Sequence, residues 1–87
     1  MPNGIDVYDI EQADRRLAAI RGSARAQDGC MGIETDVGGR ITDLWFADWA
    51  MEQHGQQLAE IIIDRHRAAL DSAHAVATRE FGGAENE

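Results

Sequence analysis

Between positions 10 and 24 the apolar residues Ile10, Ala13, Leu17, Ile20 and Ala24 return at alternating intervals of three and four, the stripe of an amphipathic helix. The spacing predicts a helix over residues 9–25. Asp9, Glu11 and Asp14 fall in its early turns and Arg21 and Arg25 in its late ones, as the helix dipole favours, and Asp6 or Asp9 is placed to cap its start. Two apolar positions in seven make a narrow seam, the kind that packs against one partner helix rather than sinking into a broad core.

From residue 30 the period changes to two. Residues 30–37 and 40–47 flank Gly38 and Gly39, and a two-glycine loop suits a type I′ turn, in which both central residues need positive φ. That turn pairs Val37 with Arg40, Thr35 with Thr42, Ile33 with Leu44 and Met31 with Phe46, and gathers Met31, Ile33, Val37, Leu44 and Phe46 on one core face. The opposite face pairs Gly32 with Trp45, Glu34 with Asp43 and Asp36 with Ile41. Two opposed carboxylates require water or something basic beside them. Residues 24–27 could form a short third strand once the helix ends. Residues 48–55 read as irregular. A second helical pattern runs over 56–81 through Leu58, Ile61, Ile62, Ala69, Ala73, Val76 and Ala77, and Gly82 and Gly83 end it. Its alanine-rich later part allows another helix or the sheet to come close.

These elements define an α/β (α+β) chain: an N-terminal helix, an antiparallel two- or three-stranded sheet and a long C-terminal helix. They fit a single domain over 1–87, with an ordered core of about 8–81 and an acidic tail over 82–87. A chain of 87 residues, 44% of them hydrophobic, builds a core of marginal stability, so association with a second copy is expected. One cysteine, Cys30, rules out an internal disulfide and suits a reducing, cytoplasmic setting. The longest aliphatic run is 61–63, far short of a membrane span, and no leader-like apolar stretch follows Met1.

Sixteen acids face eight basic residues, all arginine, for a net charge of −8. Such a chain repels phosphate on average, so nucleic-acid binding needs arginines gathered locally. Residues 6–26 carry four acids and four arginines, whereas 27–50 carry five acids and one arginine. Arg15, Arg16, Arg21 and Arg25 are therefore the candidate phosphate contacts, since a guanidinium grips phosphate bidentately. Their ordinary alternative is pairing along the helix, as Glu11 and Arg15 at a spacing of four suggest. His54, His66, His74 and Cys30 show no ligand spacing, and no metal site is expected. Glu34 and Asp43 lie side by side, but no pocket-building loop, phosphate-cradling glycine run or paired nucleophile accompanies them, so neither catalysis nor a cofactor is expected. Trp45 is placed to cover Gly32 across the hairpin or to fill a dimer contact. With Ile10, Leu17 and Ile20 it makes up the candidate dimer interface.

The segment "MGIETDVGGRITDLWF" resembles the strand, glycine turn and G-x-(I/L)-x-x-(I/L) strand of the YbaB/EbfC family of small bacterial nucleoid-associated proteins. "LAEIIIDRHRAALDSA" is similar to that family's C-terminal helix, and with the first helix the resemblance covers roughly residues 9–80. It implies a dimer in which the central sheets of two subunits associate and helices project outward like tweezers. It also implies DNA binding with little sequence preference, and location at the nucleoid. The function expected is a non-enzymatic, homodimeric DNA-binding protein contacting phosphate through Arg15, Arg16, Arg21 and Arg25. The alternative is a dimeric protein-interaction or chaperone-like accessory module, for example of a type VII secretion locus, which better explains the acidity.

Overall fold

The computed structural model describes residues 7–82. Helix α1 spans Val7–Ala18, and strands β1 (Gly22–Arg25), β2 (Met31–Thr35) and β3 (Ile41–Phe46) form one antiparallel sheet in the order β1-β2-β3. A short helix α2 (Ala50–His54) and a 3-10 turn (Gly55–Gln57) lead into the long helix α3 (Leu58–Ala77), which ends in a π-helical turn over Thr78–Gly82. The α+β class expected from the periodicities is the one observed. Of the two proposed helix caps, Asp6 lies outside the described residues, as does the tail from residue 83 onward.

The first helix is shorter than its stripe predicts. It stops at Ala18, where Arg21 Nη1 donates to the carbonyls of Ala18 (2.7 Å) and Ile20 (2.9 Å) and satisfies acceptors that a helix end leaves open. The chain then turns so that Ile20 is buried, and Gly22, a poor helix former, begins β1. Ala24, the last residue of the apparent helical stripe, thus packs against the core from β1. The open question over residues 24–27 resolves as a strand two residues upstream. Residues 48–55 also differ from expectation, because Ala50 is buried and nucleates α2, held by Ala50 N–H donating to the Ala47 carbonyl at 3.0 Å.

The hairpin between β2 and β3 keeps the expected register by an unexpected route. Met31 pairs with Phe46, Gly32 with Trp45, Ile33 with Leu44 and Glu34 with Asp43, all as the glycine turn predicts. The turn itself is not type I′: Gly39 has φ 90° while Gly38 keeps a negative φ. Gly39 N–H donates to the Asp36 carbonyl (3.1 Å) and Asp36 N–H to the Arg40 carbonyl (3.0 Å), which makes a three-residue loop closed by a type I turn. Asp36 selects it, because its Oδ1 accepts from Gly38 N (3.0 Å) and Arg40 N (2.9 Å). A bulge between Glu34 and Thr35, where Thr35 pairs with Ile41, then restores the register beyond it. The expected Thr35–Thr42 and Asp36–Ile41 pairs are therefore replaced.

Helix α3 lies across β1 and β2 and leaves β3 uncovered. It comes so near that a Cβ at Gly22 would sit 2.2 Å from Ala69 O and Ala73 N. Ala69 and Ala73 are fully buried, so the small residues of the C-terminal helix serve the sheet. Cys30, Met31, Ile33, Ala50, Leu58 and Ala69 form the core, flanked by Ala24, Ala26, Ile61 and Ile62. His66 and His74 tie α3 to the hairpin loop, their Nε2–H groups donating to the carbonyls of Gly39 (2.7 Å) and Val37 (2.8 Å). The molecule is long, 62 × 26 × 15 Å with a radius of gyration of 17.2 Å, where a compact chain of this length would have about 12 Å.

Candidate functional site

Every residue of β3 is exposed. By register Ile41, Leu44 and Phe46 belong to the face that α3 covers over β2; Leu44 and Phe46 were expected in the core with Val37, which is itself only half-buried, while Ile41, expected on the opposite face, is brought to this one by the bulge. They are exposed because α3 passes over the other two strands, which leaves the inner row of β3 at 46%, 39% and 42% exposure. The strand also closes the sheet on one side, so the N–H and C=O groups along its free edge are open to a further strand.

On the outer face Trp45 lies over Gly32, with no room for a Cβ: one built there would be 2.4 Å from Trp45 Nε1. Arg25 completes the row from β1, its guanidinium carbon 5.8 Å from the Trp45 ring centroid. Coverage of Gly32 by Trp45 is thus as the pairing predicts, and Trp45 remains 40% exposed. Beside it the opposed Glu34 and Asp43 are relieved by the bulged strand, where Thr42 Oγ1 donates to Glu34 Oε1 at 2.7 Å.

Helix α1 reaches the C-terminal end of the chain through Arg16, which meets Glu80 and Phe81. Its stripe residues Ile10 and Leu17 are exposed, while Ile20, placed with them by periodicity, is 6% exposed and belongs to its own chain's interior. A 12-residue helix whose stripe residues Ile10 and Leu17 lie exposed is marginal on its own in water.

The four candidate phosphate contacts do not form one patch of free charge. Arg16 lies 3.7 Å from Glu80 and its guanidinium stacks 4.8 Å from the Phe81 ring centroid. Arg21 is engaged with the end of α1 and Arg25 with Trp45. Among the described residues, Arg15 alone of the four has a side chain without a hydrogen-bond, ion-pair or ring partner.

Folding also builds a cluster that the spacing along the chain conceals. Asp28 sits in the β1–β2 turn, Cys30 at the start of β2 and His54 at the end of α2. Their ligand-type atoms, one from each residue, all lie within 4.8 Å of one another. His54 Nε2 donates to Asp28 Oδ2 at 2.6 Å, and Asp28 Oδ1 accepts from Cys30 N–H at 3.0 Å. The His54 hydrogen bond, with that of the Cys30 amide, holds the Asp28 carboxyl below its ordinary range. Burial, reinforced by the adjacent Asp28, pushes the Cys30 thiol up, so it is a poor nucleophile as it stands. Sequence reading linked Cys30 and His54 to no common site. Asp28, two residues before Cys30, was the missing signal, and it becomes visible only once α2 is recognised as a helix that swings His54 back over the turn.

The fold and these surfaces define a small α+β protein with a three-stranded antiparallel sheet, one edge of it bare. No protein-family model matches the chain, and no curated protein matches it either. Among solved structures it is similar to the uncharacterized protein HP0035 from Helicobacter pylori, with 14% identity and a TM-score of 0.59, over 91% of this chain and 89% of that one. The likeness is one of fold. No helix among the described residues is long and apolar enough to cross a membrane.

Proposed function

We propose that this chain works as a homodimer joined along β3, and that the dimer is a non-catalytic binding protein whose ligand is another protein. The observation that carries the reading is β3, a six-residue strand at the sheet edge in which every residue is exposed and four are apolar. Two copies related by a twofold axis can pair such an edge with itself, antiparallel, without any other surface having to match. Ile41, Leu44 and Phe46 then extend one core across two subunits, and α1, whose Ile10 and Leu17 are exposed in its own chain, has a second subunit against which to lay them.

A protein ligand is favoured over DNA by the charge. The net charge of −8 doubles on dimerisation, and three of the four candidate arginines are occupied by Glu80, Phe81, Trp45 or backbone carbonyls. The DNA reading, implied by the family resemblance, rests on Arg15 with help from Arg16. Sedimentation of the full chain tests the dimer, with Phe46→Asp expected to yield monomer. Fluorescence anisotropy of a labelled generic duplex, at low and at physiological salt, tests the ligand. A duplex that stays free at low salt supports the protein-ligand reading. Tight binding that weakens steeply with salt and is lost in Arg15→Gln/Arg16→Gln overturns it in favour of DNA.

A further inference from the structure

We propose that Asp28, Cys30 and His54 form a three-ligand site for a zinc-class divalent cation, with the fourth position open to water or to an incoming ligand. The inference is independent of the reading of β3. Its basis is convergence: two segments far apart in sequence, the β1–β2 connection with Asp28 and Cys30 and the end of α2 with His54, bring one oxygen, one sulfur and one nitrogen donor within 4.8 Å of one another. Bonds of about 2.0–2.3 Å to a tetrahedral ion place such donors roughly 3.3–3.8 Å apart. The widest pair must therefore close by about 1 Å, and the 2.6 Å contact between Asp28 and His54 must open by somewhat less. Half-exposed Asp28 and partly exposed His54 have the freedom to make that adjustment.

Cys30 supplies the fixed point. Its carbonyl accepts from Ala47 N–H at 2.8 Å and its N–H donates to Asp28 Oδ1 at 3.0 Å, so strand and turn are both anchored at the sulfur-bearing residue. Gly29, with φ 80°, makes the turn that folds Asp28 back toward it. Held through Oδ1, the carboxylate offers Oδ2 outward, on the side where His54 Nε2 already sits. Glu60 and Asp64 of α3 line the same depression as Asp28, with Asp64 paired to Arg65 at 2.6 Å.

The donor set selects the ion. Thiolate and imidazole suit zinc and its borderline-soft neighbours, whereas magnesium and calcium demand oxygen. On binding, the Cys30 thiol proton leaves to solvent. His54 coordinates through the Nε2 lone pair with its proton on Nδ1, and the Asp28–His54 hydrogen bond gives way to two metal bonds. The ion would clamp the β1–β2 turn to α2 at the end of the sheet where Met31 meets Phe46.

The test is titration of Co²⁺ into the metal-stripped, reduced full chain. The expected result is a thiolate-to-cobalt charge-transfer band with tetrahedral d–d bands, saturating at about one ion per chain and displaced by Zn²⁺. Cys30→Ser abolishes the charge-transfer band. His54→Gln and Asp28→Asn, at positions open to solvent, weaken binding by at least about tenfold with an unchanged far-ultraviolet circular dichroism spectrum. His74→Gln leaves binding intact. Zn²⁺ raises the wild-type Tm, and His54→Gln loses that rise. A cobalt spectrum that stays that of the hydrated ion overturns the proposal. So does a charge-transfer band of full strength and affinity in His54→Gln, which would report a thiolate binding alone.

Discussion

Strands β2 and β3 lie side by side and pair Met31 with Phe46 and Ile33 with Leu44, yet the first of each pair is 0% and 3% exposed and the second 42% and 39%. On that face β3, with Ile41, Leu44 and Phe46, is no less apolar than β2, with Met31, Ile33 and Thr35. They differ in what lies above them: α3 crosses β1 and β2, admitted by Gly22 and the alanines at 69 and 73, and reaches no further. One half of the sheet is a finished core and the other half is half of one. Alternation along a strand specifies which face is apolar, and only the reach of the covering helix specifies whether that face is buried inside one chain.

The largest effect should come from breaking the finished half at its narrowest point. Gly22→Leu forces a side chain into the backbone of α3, where even a Cβ has 2.2 Å, and should cost about 4 kcal/mol or more. Urea unfolding should find the variant largely unfolded in buffer. Met31→Ala, in the same half, leaves a cavity and should cost about 2–5 kcal/mol. Leu44→Ala, measured dilute enough to hold the chain monomeric, should cost under about 1 kcal/mol because that side chain already faces water. Equal costs at Met31 and Leu44 would erase the contrast between the strands.

In the open half the damage should appear in assembly. Phe46→Asp should remove roughly 2–4 kcal/mol of association free energy, with far-ultraviolet circular dichroism unchanged. A smaller effect of opposite sign sharpens the picture of the closed half. Thr35 is fully buried and its Oγ1 has no hydrogen-bond partner among the described residues. Thr35→Val keeps the shape, removes the unsatisfied hydroxyl and should stabilise by about 1 kcal/mol. The smallest effect belongs to the loop joining the strands. Asp36 is held below its ordinary range, first by the Arg40 amide and then by that of Gly38. A depressed folded value means its contribution is complete above the unfolded value and fades as pH falls through the folded one. Asp36→Asn should therefore flatten the acid limb of a stability-against-pH curve by lowering stability slightly at neutral pH, with the two curves converging at the acid end.

Much of this was legible in the chain. The period of two around Gly38 and Gly39 gave the distal register, and the alanines of the last helix announced a close approach. The turn type was misread because two glycines suggest two positive φ values, whereas Asp36 accepts two amides and prefers the longer loop. The end of α1 was misread because Ile20 and Ala24 continue a helical period by coincidence, one as a turn residue and the other in a strand. The Asp28–Cys30–His54 cluster could not be read at all, since it depends on where α2 lies after the sheet is formed. Arg15, Arg16, Arg21 and Arg25 stand close in sequence, but the fold gives Arg16, Arg21 and Arg25 three different neighbours.

The account turns on β3 being the joining edge, and amide hydrogen exchange of β3 as a function of protein concentration tests that most directly. Amides of β3 that point away from β2 should be protected at high concentration, and their exchange should quicken on dilution as the mass falls from twice 9.6 kDa to that value. Outward amides of β3 that exchange freely at every concentration, whatever the mass, would contradict it.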